Sequence, residues 1–246
     1  MNLPEPSLFE CNPRPRIEVL NLDGGGQCWI VDDVLLHPER IVQWARQRRD
    51  RFRRDDFGYY PGISLRPPQQ ISDRLTAFFN LHMRRHFDAR RVQHTECRLS
   101  LVTLQPRELL PIQWFCHRDA SLLEPHESRQ ASILYLFKDS AVGGTSFYEP
   151  ARTAAETLTL FGDARVMTPG AFQQKYAVDY GYIGASNAYF TRVGGVAAKW
   201  NRMIFYDGFM LHSGDIPAPD RLSDDPESGR LTLNGFFVSR RRLQSI

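Results

Sequence analysis

The sequence predicts a mainly β fold with supporting helices, organised as one domain over residues 1–246: a helical and mixed supporting region (1–96) and a β-rich core (97–246). Three observations predict it. Strand-like segments crowd the second half, starting with the alternating RLSLVTLQ (98–105). Two stretches with a single apolar helical face lie in the first half. No internal repeat, low-complexity segment or linker separates the halves. With 246 residues, 42% hydrophobic and 24% charged, the chain can bury a large core and is neither disordered nor fibrous in composition.

In chain order, residues 17–31 (IEVLNLDGGGQCWIV) read as two short strands around a turn, and the triple glycine lacks the pattern of a phosphate loop. Asp32 or Asp33 and then Pro38 open a helix expected to run to about Arg51, with Val34, Leu35, Ile41, Val42 and Trp44 on its apolar face. FGYYPGISLRPP (57–68) reads as an ordered loop, because its two tyrosines need packing partners. Ser72 is expected to cap a second helix whose Leu75, Phe78, Phe79, Leu81 and Met83 face the core. WFCHRD (114–119) reads as a short strand, ASILYLFK (131–138) as a strong one, and SAVGGTSFYEP (140–150) as a turn and strand. TLTLFGD and the residues to about 190 are mixed, with a helix or extended insertion around Pro169–Tyr176. VAAKWNRMIFYDG (196–208) and RLTLNGFFVS (230–239) complete the strands.

Several function classes recede on composition. No apolar run reaches the length of a membrane span, and the N-terminus lacks a charged start followed by an apolar run, so a cytoplasmic protein is expected. Cys11, Cys28, Cys97 and Cys116 form no CxxC pair and read as free thiols. A net charge of +3 is too small to argue for nucleic acid. The basic clusters at 46–56, at 83–91 and at the C-terminus read first as solvated faces or tails.

The chemistry concentrates in the β-rich half. His117 and Asp119 flank one residue in HRD, on a strand end where both side chains project to one face. His212 follows a hydrophobic strand in FYDGFMLHSGD. Two imidazoles and a carboxylate on one face of an octahedron make the facial triad of non-haem Fe(II) oxygenases. An HxD pair alone is common by chance, and the plain alternative is a polar strand histidine followed by a turn-forming aspartate. Arg230 and Thr232 share a strand face in RLTLNGFF, where a guanidinium and a hydroxyl suit a carboxylate.

Taken in order, HxD, strand, GGT, strand, HSG and R-x-T resemble the Fe(II)- and 2-oxoglutarate-dependent dioxygenases, particularly the prolyl-hydroxylase-like branch, over roughly residues 97–240. The resemblance implies a double-stranded β-helix (jelly-roll) core with iron at its open mouth. It implies His117, Asp119 and His212 as iron ligands, and Arg230 as the partner of the distal carboxylate of 2-oxoglutarate. Thr232 matches the hydroxyl position two residues later, and Tyr135 in ILYLF matches a tyrosine that bonds the same carboxylate. Fe(II), 2-oxoglutarate as co-substrate and O2 are the implied cofactors. The implied reaction hydroxylates a C–H bond of an amino acid, a peptidyl residue or a small metabolite and releases succinate and carbon dioxide.

Two departures bear on this. The gap from His212 to Arg230 is longer than usual, which a surface loop, PAPDRLSDDPESG, accommodates; Arg221 within that loop is the rival carboxylate binder. RLTLNGFF lacks the second arginine of the DNA-repair branch, which counts against base demethylation, and the presence of Asp119 counts against halogenation. A non-catalytic binding module on the same fold, and less so a nucleic-acid-modifying oxygenase, stand as alternatives. Among the remaining residues, His82 and His86 read as part of an exposed basic helix face rather than a chelate, and His126 as a loop residue. Cys116 should point into the core, Trp114 is core or pocket wall, and the four tyrosines of Tyr176–Tyr189 either pack or meet substrate.

Overall fold

The chain opens on an antiparallel hairpin of β1 (Arg16–Asn21) and β2 (Gln27–Asp32), as the alternation in 17–31 leads one to expect. The computed structural model describes residues 7–54, 59–119, 124 and 126–241. The acidic end of the 46–56 cluster, the start of the 57–68 loop and the C-terminal basic run past Arg241 lie outside the described residues.

Helix α1 (Glu39–Arg46) buries Ile41, Val42 and Ala45, with an acid in its first turn and a base in its last, the order its dipole favours. It is shorter than expected. Asp32 still belongs to β2, Asp33 adopts φ +50°, and past Arg46 the chain tightens into a 3-10 turn at Arg49–Arg51. The short strands β3 (Arg53–Arg54) and β4 (Gly62–Leu65) follow, the second from within the segment expected to be a loop. Helix α2 (Gln69–Phe78) begins after Pro68, so Ser72 lies buried inside it instead of capping it; its carbonyl accepts a 2.7 Å bond from the Thr76 hydroxyl. The helix continues into a π-helical turn, Phe79–Met83. The wider turn keeps Phe79 and Met83 buried but rotates Leu81, expected in the core, to 75% exposure.

The core strands are β5 (Arg91–Val102), β6 (Glu127–Tyr135), β7 (Thr145–Pro150), β8 (Phe190–Val196), β9 (Met203–Asp207), β10 (Leu211–Gly214) and β11 (Leu231–Arg240). They form an eight-stranded sheet in the order β1-β2-β9-β6-β11-β5-β4-β3 and a three-stranded sheet in the order β10-β7-β8, antiparallel throughout. Residues 114–119 are not a regular strand. A 3-10 turn ends at Trp114, and only His117 pairs with the small sheet, as an isolated bridge to His212. From β5 to β11 the path therefore runs large sheet, small (His117), large, small, small, large, small, large. That winding is a double-stranded β-helix, or jelly roll, and the protein is mainly β with supporting helices.

Period-2 alternation assigns the layers. Leu99, Leu101, Leu134, Leu231 and Leu233 leave the large sheet outward and pack with Ile71, Leu75 and Phe79 of the N-terminal helical layer. Between the sheets lie Tyr135, Phe137, Phe147, Ile204 and Tyr206. Outside the small sheet, Trp114, Cys116, Tyr148 and Phe190 pack with α3 (Ala154–Val166) and α4 (Pro169–Tyr176). The helix α4 was expected; α3 was not, although Thr153 and Glu156 form its capping box. The expected strand 196–208 is strand only over β9; Val196 ends β8, and between them lies a turn in which Asn201 takes φ +61° and clamps Leu35 through both its amide atoms. No helix among the described residues is long and apolar enough to cross a membrane.

Candidate metal centre

His117 and His212 meet across the small sheet. Each backbone N–H donates to the other's carbonyl at 2.9 Å, which fixes the two imidazoles side by side with ring centroids 4.4 Å apart. Asp119 is fixed separately, its N–H donating to the Gly208 carbonyl at 2.9 Å in the turn that joins β9 to β10. Its carboxylate stands 3.6 Å from His117 Nε2 and 3.3 Å from His212 Nε2. One donor atom from each of the three residues falls within 4.8 Å of the others. Sequence distance is thus closed by the antiparallel register, and the three residues converge.

Surrounding groups orient this cluster. His212 Nδ1 lies 3.0 Å from the Met210 carbonyl; with the proton there, the Nε2 lone pair is left facing Asp119. The Tyr206 hydroxyl donates to Asp119 Oδ2 at 3.3 Å. Burial pushes the His212 pKa down to about 4, outweighing the attraction of Asp119, so the imidazole is neutral at pH 7. Burial acts to raise Asp119, but His212, His117 and the Tyr206 hydroxyl together hold its carboxyl below the usual range. Two imidazole nitrogens and a carboxylate are a donor set for a divalent metal of the first transition row. The His117 side chain is 61% exposed against 5% for His212, so the cluster opens to solvent on the His117 side.

Residues 13–237 match the model of a family of unknown function, DUF6445. The chain belongs to that family. No curated protein matches its sequence. Among solved structures, it is similar in outline to the non-haem alpha-ketoglutarate-dependent epimerase SnoN from nogalamycin biosynthesis, with 14% identity, 87% of this chain and 80% of that one covered, and a TM-score of 0.47. A prolyl-4-hydroxylase from Pseudomonas putida gives 11% identity, coverages of 89% and 95%, and a TM-score of 0.48. An N-substituted L-amino acid dioxygenase from Burkholderia ambifaria gives 11%, 87% and 86%, and 0.35. TM-scores under 0.5 say nothing of what this DUF6445 chain does.

Deeper between the sheets lies the second notable group. Arg230 is 4% exposed; its Nε donates to the Val142 carbonyl at 3.0 Å and its Nη2 to the Gly144 carbonyl at 2.6 Å. Among the described residues it forms no ion pair. A buried guanidinium without a carboxylate is costly, and such a group suits an anion. Its Nη2 would lie 3.4 Å from a Cβ placed on Gly214, two residues beyond His212 on the same face of β10, about 7 Å along the strand. Thr232 and Tyr135 are cross-strand neighbours on the inner face. The Thr232 hydroxyl makes a long 3.5 Å bond to the Ser100 carbonyl, and the Tyr135 hydroxyl donates to Thr145 Oγ1 at 2.8 Å.

One residue of this group went unmarked in the sequence. The Tyr60 hydroxyl is buried without a hydrogen-bond partner among the described residues, and burial pushes its pKa up to about 12, with Arg230, Thr232 and Ser100 near enough to oppose the rise. Only the expectation that the tyrosines of 57–68 must pack pointed towards it. Arg221, the rival to Arg230, is 54% exposed and pairs with Asp139 at 2.8 Å on the surface.

The other candidates resolve by packing. His86 stacks on Trp29 with centroids 3.9 Å apart and His82 lies beside Phe78, so both are half-buried ring contacts and not an exposed basic face. Cys116 points into the outer core as expected, and Trp114 is core there. Of the four tyrosines, Tyr176, Tyr180 and Tyr189 pack near α4, while Tyr182 donates to the Leu104 carbonyl at 2.7 Å. His126 is exposed.

Proposed function

We propose that this protein is a non-haem iron, 2-oxoglutarate-dependent oxygenase that hydroxylates a C–H bond of an amino acid, a peptidyl residue or a small metabolite, releasing succinate and carbon dioxide. The observation that carries the reading is the pairing on one face of β10: a two-histidine, one-carboxylate cluster and, one pleat repeat deeper, a buried arginine with no acidic partner among the described residues. The donor set fits a divalent iron, and the buried cation fits the far end of a dicarboxylate.

On this reading His117, Asp119 and His212 hold the metal, and Arg230, helped by Thr232, Tyr60 and, more remotely, Tyr135, receives the distal carboxylate. Bound iron and 2-oxoglutarate would together supply the oxidising power by coupling decarboxylation of the co-substrate to reduction of O2. The chain's own part is geometric. Tyr206 steadies Asp119, Met210 sets the tautomer of His212, and the Val142 and Gly144 carbonyls aim Arg230. Phe147 and Phe137 keep the interior dry. No general acid or base is required. The reading treats the chain as one domain, and its four free cysteines suit the reducing cytoplasm. Arg46 and Arg49 pair with Glu227 and Asp224, which blunts the basic cluster and argues against nucleic acid as a partner.

Calorimetry with 2-oxoglutarate tests the proposal. Binding is expected to the Mn(II)-loaded protein and not to the metal-free protein or to Asp119→Ala. Metal binding with no 2-oxoglutarate affinity would favour a non-catalytic module on this fold.

A further inference from the structure

The inner face of the large sheet changes character from one cross-strand row to the next. In the register of β6 and β11, Tyr135 faces Thr232, Ala131 faces Phe236, and Arg129 faces Val238. Ala131 also faces Tyr206 of β9, the tyrosine bonded to Asp119. The Tyr135 row, beside Arg230, carries hydroxyls. The Ala131 row runs from Tyr206 through Ala131 and Phe236 to Glu96 of β5, and Phe236 and the neighbouring Ile133 are half-buried. The next row holds Arg129.

Arg129 is built into the metal centre. Its Nη1 donates to the Asp119 main-chain carbonyl at 2.8 Å. Its own carbonyl accepts from Gly208 N at 2.9 Å, and the Gly208 carbonyl accepts from Asp119 N at 2.9 Å, closing a ring of three bonds. Its Nε is buried, and among the described residues it makes no hydrogen bond and Arg129 forms no ion pair. That nitrogen, adjacent to a metal ligand, is therefore without an acceptor among the described residues. Burying such a donor unpaired is costly, and a carboxylate is the acceptor whose two oxygens match a guanidinium edge.

We propose that Arg129 anchors a carboxylate of the substrate, so that the substrate is an organic acid. The inference rests on the oxygenase reading and adds the substrate class to it. It makes Arg129 a specificity-determining residue: the anionic end is fixed beside the main chain of Asp119.

The test uses the Fe(II)- and 2-oxoglutarate-loaded protein without oxygen and two matched probes, 3-phenylpropionate and 3-phenylpropionamide, with dissociation constants from calorimetry. The wild type should bind the acid at least about tenfold tighter than the amide, since a charge-assisted bond is lost in the amide. Arg129→Leu should abolish that preference, and Arg129→Lys, which keeps the charge but not the planar edge, should reduce it. Equal or absent binding of acid and amide by the wild type overturns the proposal. So does a preference that survives in Arg129→Leu or, should that variant not fold, one undiminished in Arg129→Lys. Failure of the wild type to bind 2-oxoglutarate at all would instead overturn the oxygenase reading beneath it.

Discussion

Replacing Arg230 by methionine separates co-substrate binding from folding. The guanidinium is 4% exposed and donates to the carbonyls of Val142 and Gly144. Its removal orphans two buried acceptors, at about 1–3 kcal/mol each. It also removes a buried cation with no acidic partner among the described residues, whose desolvation costs several kcal/mol. These effects oppose each other, so the metal-free stability should change by less than about 2 kcal/mol. Co-substrate binding has no such offset. Losing a charge-assisted partner costs about 2–3 kcal/mol, on the order of a hundredfold in Kd. At 2-oxoglutarate about 100 times the wild-type Kd, binding stabilises the wild type by about 2.7 kcal/mol. For a chain of this length that raises Tm by about 5–11 °C. For Arg230→Met the same concentration roughly equals Kd, the stabilisation is about 0.4 kcal/mol, and Tm should rise by only about 1 °C. Thermal denaturation of both Mn(II)-loaded proteins, with and without 2-oxoglutarate, reads this directly. Equal rises in the two proteins would refute the assignment of Arg230.

Three further outcomes follow from the geometry. Because burial pushes His212 down to about 4 from an ordinary 6.5, the metal-free protein should be fully stable with respect to this group above pH 6.5. It should then lose stability as pH falls towards 4, approaching about 1.4 kcal/mol per pH unit; a urea midpoint flat across that window would contradict the burial argument. Asn201→Ala removes both bonds to Leu35, at 3.0 and 2.8 Å, and should cost about 2–3 kcal/mol in chemical denaturation, whereas a loss under about 0.5 kcal/mol would mean the clamp is idle. At Gly143, φ is +80° and a Cβ would sit 1.5 Å from the Asp215 carbonyl, so Gly143→Ala should cost at least about 2 kcal/mol. Gly162→Ala, in open space within α3, should instead stabilise by about 0.5–1 kcal/mol, and similar Tm values for the two variants would count against both.

What could be read from the sequence follows the range of the forces involved. Alternation marks β5, and apolar runs mark β6 and β11, which pack on both faces of the large sheet. Neither could find the extent of strand at His117, where one bridge to His212 replaces a ladder. Helix ends escape the sequence pattern where a backbone detail decides them: Asp33 with positive φ, Pro68 ahead of Ser72, and the π turn that carries Leu81 outward. The helix α3 was missed because its apolar residues form no clear stripe, and only the Thr153–Glu156 box marks its start. At the site, the HxD spacing and the distal histidine were legible as a pattern, and the three side chains do converge. Tyr60 and Arg129 were not legible. Each matters only because folding buries a donor beside a distant strand, the Tyr60 hydroxyl near Thr232 and the Arg129 guanidinium against Asp119.

The central claim, that one pocket holds a divalent iron and 2-oxoglutarate together, is tested most directly by anaerobic titration of the metal-free protein with Fe(II) and then 2-oxoglutarate, watching for the visible metal-to-ligand charge-transfer band. The account predicts a saturable band in the wild type, none in His117→Ala, and a far higher 2-oxoglutarate requirement in Arg230→Met. Stoichiometric iron binding by the wild type with no band at saturating 2-oxoglutarate would contradict it.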